Sequence, residues 1–561
     1  MKKLKEKELL PNAKKSQKNI FFAIVGILFL FWGGIWLVYD AKNFSITSDE
    51  IVYLPVGIRY LERGDELINN EHPPIFKIIS ALPAMFLPHN IDKAIIEGSQ
   101  NQWKFGFTFW FESSNNVDNL LHAGRAPTIL LTLLLFLSVW LWTRRNIGEW
   151  AGIAALGALV FNPNLIAHGS LIANDIYLAA AAWFLFVATF YFIKNANLKT
   201  AFWWGAGAFF AVLSKYTGVI FVAISILIVI SSVFILRKNL WRSALLILFS
   251  AMVGLVLTWS VFIFIQRNSV FSARPVTMGL SDQITIEVKN TFKKIILLPY
   301  SNVRDGIIAT EGHNKIGHRS YLNGEISQFG WKSYFLWALW YKTPIIILFL
   351  TLFGLILAVV KKNWALVLSF ISVIVALAVG SIGHIQTGVR YILFFYVLSA
   401  PLAGIAVSYI LGLKNVFYKL IVGILFIFLL FDSVRGGSGS ISYFSYLTGG
   451  GSNGFKHLAD SNLDWGQEFY ILRDYVEKNK ISNLIIGISS GEDPKYANIK
   501  SQPLINYTCD TLPAGSTVIA SANYVVGFFG PYTCLLDSLK SGKAERLGQT
   551  FYIFSSDDLS R

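Results

Sequence analysis

Charge is what this sequence has least of. Of its 561 residues only 14% are Asp, Glu, Lys or Arg, against about 25% in a soluble domain. That shortage excludes an ordinary water-soluble fold. Cysteine is nearly absent as well, with Cys509 and Cys534 both near the end of the chain. Two cysteines exclude a disulfide-dense scaffold and a cysteine metal cluster, and leave at most one pair to close on an outward-facing segment. No Walker loop and no dinucleotide-binding glycine pattern occurs. No internal repeat is visible, which weighs against a transporter built from inverted repeats.

What is present is apolar and basic. Hydrophobic residues make up 54% of the chain and aromatics 15%, and the mean hydropathy is +0.52. Charge-free runs near 20–39, 123–143, 150–167, 176–193, 200–214, 217–236, 243–265, 335–360, 364–381, 389–411 and 416–433 predict roughly eleven membrane crossings. The first run is too long for a cleaved signal peptide and is followed by no small-x-small site, so it is expected to remain as an anchor. The net charge of +15 gathers in short gaps between spans. These are Lys2 to Lys18, Arg144-Arg145, Lys194 with Lys199, Arg237-Lys238 with Arg242, Lys361-Lys362, and Lys414 with Lys419. Alternating spans put all of these on one side, so the positive-inside rule explains the basic excess without a nucleic-acid partner.

Expected organisation follows from that alternation. A basic cytoplasmic tail covers 1–19 and a membrane domain 20–434, with outer loops near 40–122 and 267–333. An outward α/β domain at 435–561 begins after the glycine-rich turn Gly436 to Gly439. Within it, Asp464 to Lys480 reads as an amphipathic helix, and Leu484 to Ile488, Thr517 to Ala520 and Thr550 to Phe554 read as strands.

The scarce charges outside the basic gaps carry the functional reading. Asp49 and Glu50 open the first outer loop, close to Tyr53. Thr47-x-x-Glu50 fits a helix capping box; equally, a carboxylate at the membrane surface can take a proton from an acceptor. Glu71-His72-Pro73-Pro74 starts a short helix lying on the interface, with Lys77 in its first turn. A cation there opposes the helix dipole, so it calls for an acid or a bound anion such as phosphate. Asp175, Lys215 and Arg390 each interrupt apolar text at the outer level, where ionisable groups are functional by default, and one shared cavity is expected. In the second outer loop, His313 and His318 precede Glu325, but one loop supplies no third zinc ligand. In the tail, Asp460 and Asp464 with Trp465 suit a sugar surface, while Asp464-x-x-Gln467 also fits a helix cap.

Asp49-Glu50 followed by Glu71-His-Pro-Pro-x-x-Lys77 resembles the protein O-mannosyltransferase and lipid A aminoarabinose transferase superfamily, membrane glycosyltransferases of the GT-C fold. Asn162-Pro-Asn-Leu-Ile-Ala-His168-Gly, Ser320-Tyr-Leu-Asn-Gly-Glu325, Lys342-Thr-Pro344, Gly388-Val-Arg390-Tyr391 and Asp460-Ser-Asn-Leu-Asp-Trp-Gly-Gln467 resemble its prokaryotic, phospholipid-carrier-dependent branch. The resemblance implies a mainly α polytopic chain that moves a hexosyl or pentosyl group from a polyprenyl phosphate to a protein, lipid or glycan, with inversion, on the outer face. It implies Asp49 as general base, assisted by Glu50, which positions it or holds a cation. Lys77, Arg390 and Lys215 are then expected at the donor phosphate, and Tyr53, Glu71, His72, Asp175, Glu325, Asp460 and Asp464 at the substrates. A divalent cation stays open as cofactor. The rival classes are a transporter or flippase of a lipid-linked sugar and a non-catalytic envelope protein that binds glycans.

Overall fold

The computed structural model describes residues 2–65, 67–98, 101–271, 297, 301–436, 440–488 and 491–559, with side chains from residue 20 onward. The basic tail is continuous with the first span in one helix, Lys2–Asn43. Most of the glycine-rich turn expected at 436–439, and residues 272–296 of the second outer loop, lie outside the described residues.

Apolar helices dominate the chain, as runs free of charge must when no water can satisfy their backbone. Among the described residues eight helices are long and apolar enough to cross a membrane, and ten if two bent pairs each count as one span. A further helix, Leu198–Ser214, has 17 residues, the lower limit for crossing. It packs between Asn174–Lys194 and Leu240–Ile265.

Two expected spans are broken, and each break falls at a proline. The 150–167 run is Glu149–Val160 and Pro163–Gly169, bent by 65° at Asn162-Pro163. The 335–360 run is Tyr334–Lys342 and Ile345–Val360, bent by 115° at Thr343-Pro344. A residue before proline is driven out of the helical region, and Thr343 is indeed extended, with ψ 133°. Both breaks lie on the same end of the bundle as the Asp49 segment, because successive helices alternate in direction.

The first loop folds into short helices. Glu50–Glu62 and Ile75–Ala84 pack so closely that a Cβ on Gly57 would sit 2.2 Å from the Lys77 carbonyl oxygen. Further on, β1 (Ser320–Leu322) and β2 (Glu325–Ser327) form an antiparallel hairpin across Asn323-Gly324, both at positive φ. That pair of residues suits the tight turn whose twist matches the strands.

The tail holds a five-stranded sheet. Its strands are β3 (Leu484–Gly487), β4 (Gln502–Pro503), β5 (Thr517–Ser521), β6 (Glu545–Leu547) and β7 (Phe551–Ser555), in the order β4-β3-β5-β7-β6. β3 runs parallel to β5, and β7 antiparallel to it. A disulfide joins Cys509 to Cys534. The helix expected from Asp464 instead spans Phe469–Asn479 with Glu468 at its N-cap position, so Asp464 is not its cap. Its carboxylate accepts from the Gly466 N–H in a turn, a local bond that competes with helix formation.

Candidate active site

Asp49 and Glu50 are neighbours with opposite surroundings. Glu50 is fully buried and meets Arg125 through two bonds, Nε to Oε1 at 2.8 Å and Nη2 to Oε2 at 2.6 Å. Its Oε1 also accepts from Ile172 N–H, and its Oε2 from the N–H and hydroxyl of Thr47. Arg125 gives its remaining N–H groups to the carbonyls of Ala41, Phe44 and Ser45. All five guanidinium donors are therefore used. The pair ties the first span, the acidic loop, the helix Val117–Asn146 and the Ile172 loop into one unit. The cation that Glu50 holds is Arg125, a residue the sequence reading passed over.

Asp49 points elsewhere. Its side chain is 19% exposed, and it does not cap the helix it precedes. Asp49 Oδ2 accepts from Arg390 Nη1 at 2.7 Å and from the Tyr53 hydroxyl at 3.1 Å. The same Arg390 Nη1 lies 3.6 Å from Asp175 Oδ2, and Lys215 Nζ donates to Asp175 Oδ1 at 2.5 Å. The structure thus brings Asp49, Tyr53, Asp175, Lys215 and Arg390 together from four distant parts of the chain. Asp175 stands in the first turn of Asn174–Lys194. Lys215 stands at the break after Leu198–Ser214, and Arg390 at the start of the span Val389–Gly412.

Aromatic rings wall this cluster. The Arg390 guanidinium sits 4.2 Å from the Trp465 ring, and Lys215 Nζ 3.8 Å from the Tyr391 ring. Cations over π faces in a poorly hydrated place are held firmly. Yet the cluster is incompletely bonded: Arg390 Nε and Asp175 Oδ2 are buried without a hydrogen-bond partner. Such orphans are uncommon in a finished interior.

The tail segment 460–467 stitches both halves of the site. Trp465 and Gln467 carbonyls accept from the N–H groups of Ser48 and Ser45. Ser461 Oγ donates to the Thr387 carbonyl, and Asn462 Oδ1 accepts from Val389 N–H. This approach needs glycine at 388, where a Cβ would lie 2.5 Å from Ser461 Oγ.

The other expected residues are placed around the cluster or away from it. Lys77 is fully buried, but its ammonium donates to the carbonyls of Asn69 and His72 at 2.7 and 2.8 Å, so it braces its own loop. His72 packs edge-on to the Tyr53 ring and lies 3.3 Å from the Asn174 amide. Burial pulls its pKa down to about 4. Glu71 sits 3.7 Å from His313, whose contact lowers the carboxyl to about 2 and raises the imidazole. His318 continues from His313 at 3.4 Å to Asp460 at 3.7 Å. Asp464 is buried in its turn. Glu325 is exposed on β2 and has no polar side-chain contact among the described residues. No three His, Cys, Asp or Glu side chains among the described residues converge as a metal site.

Comparison with known proteins bears on the fold. Residues 113–264 match the family described as dolichyl-phosphate-mannose-protein mannosyltransferase. No curated protein sequence matches the chain. The fold is similar to the archaeal oligosaccharyltransferase AglB of Archaeoglobus fulgidus, solved with an inhibitory peptide and a dolichol-phosphate. The identity is 11% over 91% of this chain and 71% of that one, with a TM-score of 0.50. ArnT of Cupriavidus metallidurans, solved with undecaprenyl phosphate, aligns over 94% of this chain and 97% of its own at 14% identity and a TM-score of 0.42.

Proposed function

We propose that the chain is a membrane glycosyltransferase of the GT-C type that transfers a single sugar from a polyprenyl phosphate to an acceptor hydroxyl, with inversion, on the outer membrane face; the family match over residues 113–264 and the likeness of fold support this reading. One observation carries this: a partly exposed carboxylate, Asp49, and two cations, Arg390 and Lys215, stand within one bonded cluster at the end of the bundle opposite the basic turns. Base and anion-binding groups are what a displacement at a phosphate-bearing carbon requires. The AglB structure contains a dolichol-phosphate, which supports a lipid-phosphate donor. Outward orientation is supported by the basic turns and by a disulfide in the tail.

In this reading the acceptor O–H gives its proton to Asp49. Its oxygen forms a bond to the anomeric carbon from the face opposite the phosphate. The bond from that carbon to the phosphate oxygen breaks, and the electron pair leaves with the polyprenyl phosphate. Negative charge grows on that oxygen, where the preformed cations Arg390 and Lys215 stabilise it. Arg390 turns from Asp49 towards the donor phosphate, which frees the carboxylate to act as base. Asp175 holds Lys215 in place and lies beside the same Arg390 nitrogen that meets Asp49, and Glu50 positions the segment through Arg125.

The test is a membrane assay with radiolabelled polyprenyl-phosphate hexose and pentose donors. Wild-type membranes are expected to move label to acceptor material with inverted anomeric configuration, and Asp49→Asn membranes to lose that activity. Equal transfer by a correctly inserted Asp49→Asn chain removes the base assignment. A flippase instead moves the intact donor across the bilayer and releases no polyprenyl phosphate.

A further inference from the structure

Between the first outer loop and the residues that follow the span Leu240–Ile265 lies a polar cavity of about 820 Å³, inside the range of small-molecule sites. Side-chain amides dominate its wall: Asn69, Asn70, Asn101, Gln102 and Gln266, with the half-exposed indole of Trp103 beside them. Asn69, Asn101, Gln102 and Gln266 each make a bond within the protein, and the donors and acceptors they have left, with those of Asn70, suit a ligand made of hydroxyl groups. An indole offers an apolar face on which the C–H side of a sugar ring can rest.

Electrostatics narrows the ligand further. Two acids, Asp65 and Glu71, line the cavity, with no lysine or arginine among its described lining residues. Asp65 is answered from behind by Arg59 at 3.0 Å, and Glu71 is held ionised by its contacts with His313 and Gln102. A phosphate, including that of a lipid donor, is repelled here. A neutral polyol is not.

The amide of Asn69 belongs to the wall itself. Asn69 is 9% exposed and directs its Nδ2 to Gln102 Oε1 at 2.5 Å, while its Oδ1 is buried with no partner. One wall residue leads towards the proposed base. After Glu71 comes His72, whose ring packs on Tyr53, and the Tyr53 hydroxyl bonds Asp49.

We propose that this amide-lined cavity is the acceptor subsite and that it binds a neutral oligosaccharide, so that the acceptor is a glycan. This rests on the transferase reading of the Asp49 cluster.

Purified full-length protein in lipid nanodiscs would be titrated with maltotriose, mannotriose and chitotriose, with a sulfated trisaccharide, and with an unglycosylated Ser/Thr-rich peptide. At least one neutral trisaccharide should bind, and Trp103→Ala and Gln102→Ala should each weaken it at least tenfold at unchanged melting temperature. The sulfated sugar should bind at least tenfold more weakly. The proposal is overturned if none of the neutral trisaccharides binds, if both variants bind like wild type, if the sulfated sugar binds more tightly, or if the peptide binds in a way Trp103→Ala abolishes. Cleavage of a radiolabelled polyprenyl-phosphate sugar by the wild type is read in parallel. Cleavage without saccharide binding removes the subsite and leaves the transferase. Saccharide binding without cleavage removes the transferase and leaves a glycan-binding cavity.

Discussion

Two carboxylate–guanidinium pairs stand one residue apart in the sequence, Asp49 with Arg390 and Glu50 with Arg125, and their surroundings divide them. Glu50–Arg125 is sealed from solvent, and every donor on the arginine has an acceptor. Asp49–Arg390 is partly exposed, shares its guanidinium with Asp175, and leaves Arg390 Nε unbonded. A saturated ion pair has nothing left to offer a ligand. An unsaturated one at the mouth of a site does, and its unpaired groups are the ones a substrate would meet. The difference separates scaffold from chemistry more sharply than residue type does.

The largest expected effect sharpens the open side of that comparison. Arg390→Ala should lower the transfer rate by about 10²–10³-fold, the usual loss for a group that meets developing charge. Calorimetry on the same sample should show little change in melting temperature. Arg125→Met then tests the closed side. It strands Glu50 in a sealed interior, a change that costs about 3–5 kcal/mol. Denaturation in detergent should show that loss, with activity per folded molecule much less affected.

Lys215→Ala is intermediate. A hydrogen bond to a charged group contributes about 1.5–3 kcal/mol. Its loss should raise the KM for the lipid donor about tenfold and leave acceptor KM unchanged. The smallest effect belongs to the tail. Glu492 accepts from the Ile46 N–H, next to the acidic loop, and burial raises its carboxyl from 4.5 to about 7. A raised carboxyl favours the folded state fully below the unfolded value, and that contribution is lost as pH rises towards 7. Glu492→Gln keeps the acceptor oxygen and removes the titration. It should match wild type near pH 4 and melt at a higher temperature by pH 7, with the gap growing between.

The spans were legible because charge is costly in lipid and its absence persists over long runs of text. The breaks at Pro163 and Pro344 were legible in principle, since proline constrains the residue before it, but a hydropathy run reads straight through both. Asn323-Gly324 likewise carries a hairpin signal, since both residues tolerate positive φ. Asp49, Asp175, Lys215 and Arg390 each stood out as charge in apolar text. Their common membrane level pointed to one shared cavity, but which of them pair with which depends on how the helices pack, and no local pattern encodes that. Lys77 shows the reverse. A cation in a first turn called for an anion, but the 69–72 loop folds back and offers it two carbonyls. Arg125 was missed because a single arginine near the start of a span reads as ordinary anchoring, and its partner lies 75 positions away.

The most direct measurement takes Asp49→Asn and Glu50→Gln as a pair, recording single-turnover release of polyprenyl phosphate and melting temperature on the same preparations. Asp49→Asn should lose at least about a hundredfold in rate while melting like wild type. Glu50→Gln should melt at a markedly lower temperature while each folded molecule keeps most of its rate. Wild-type release by Asp49→Asn, or a Glu50→Gln chain that is stable but inactive, would contradict the division of roles between the two acids.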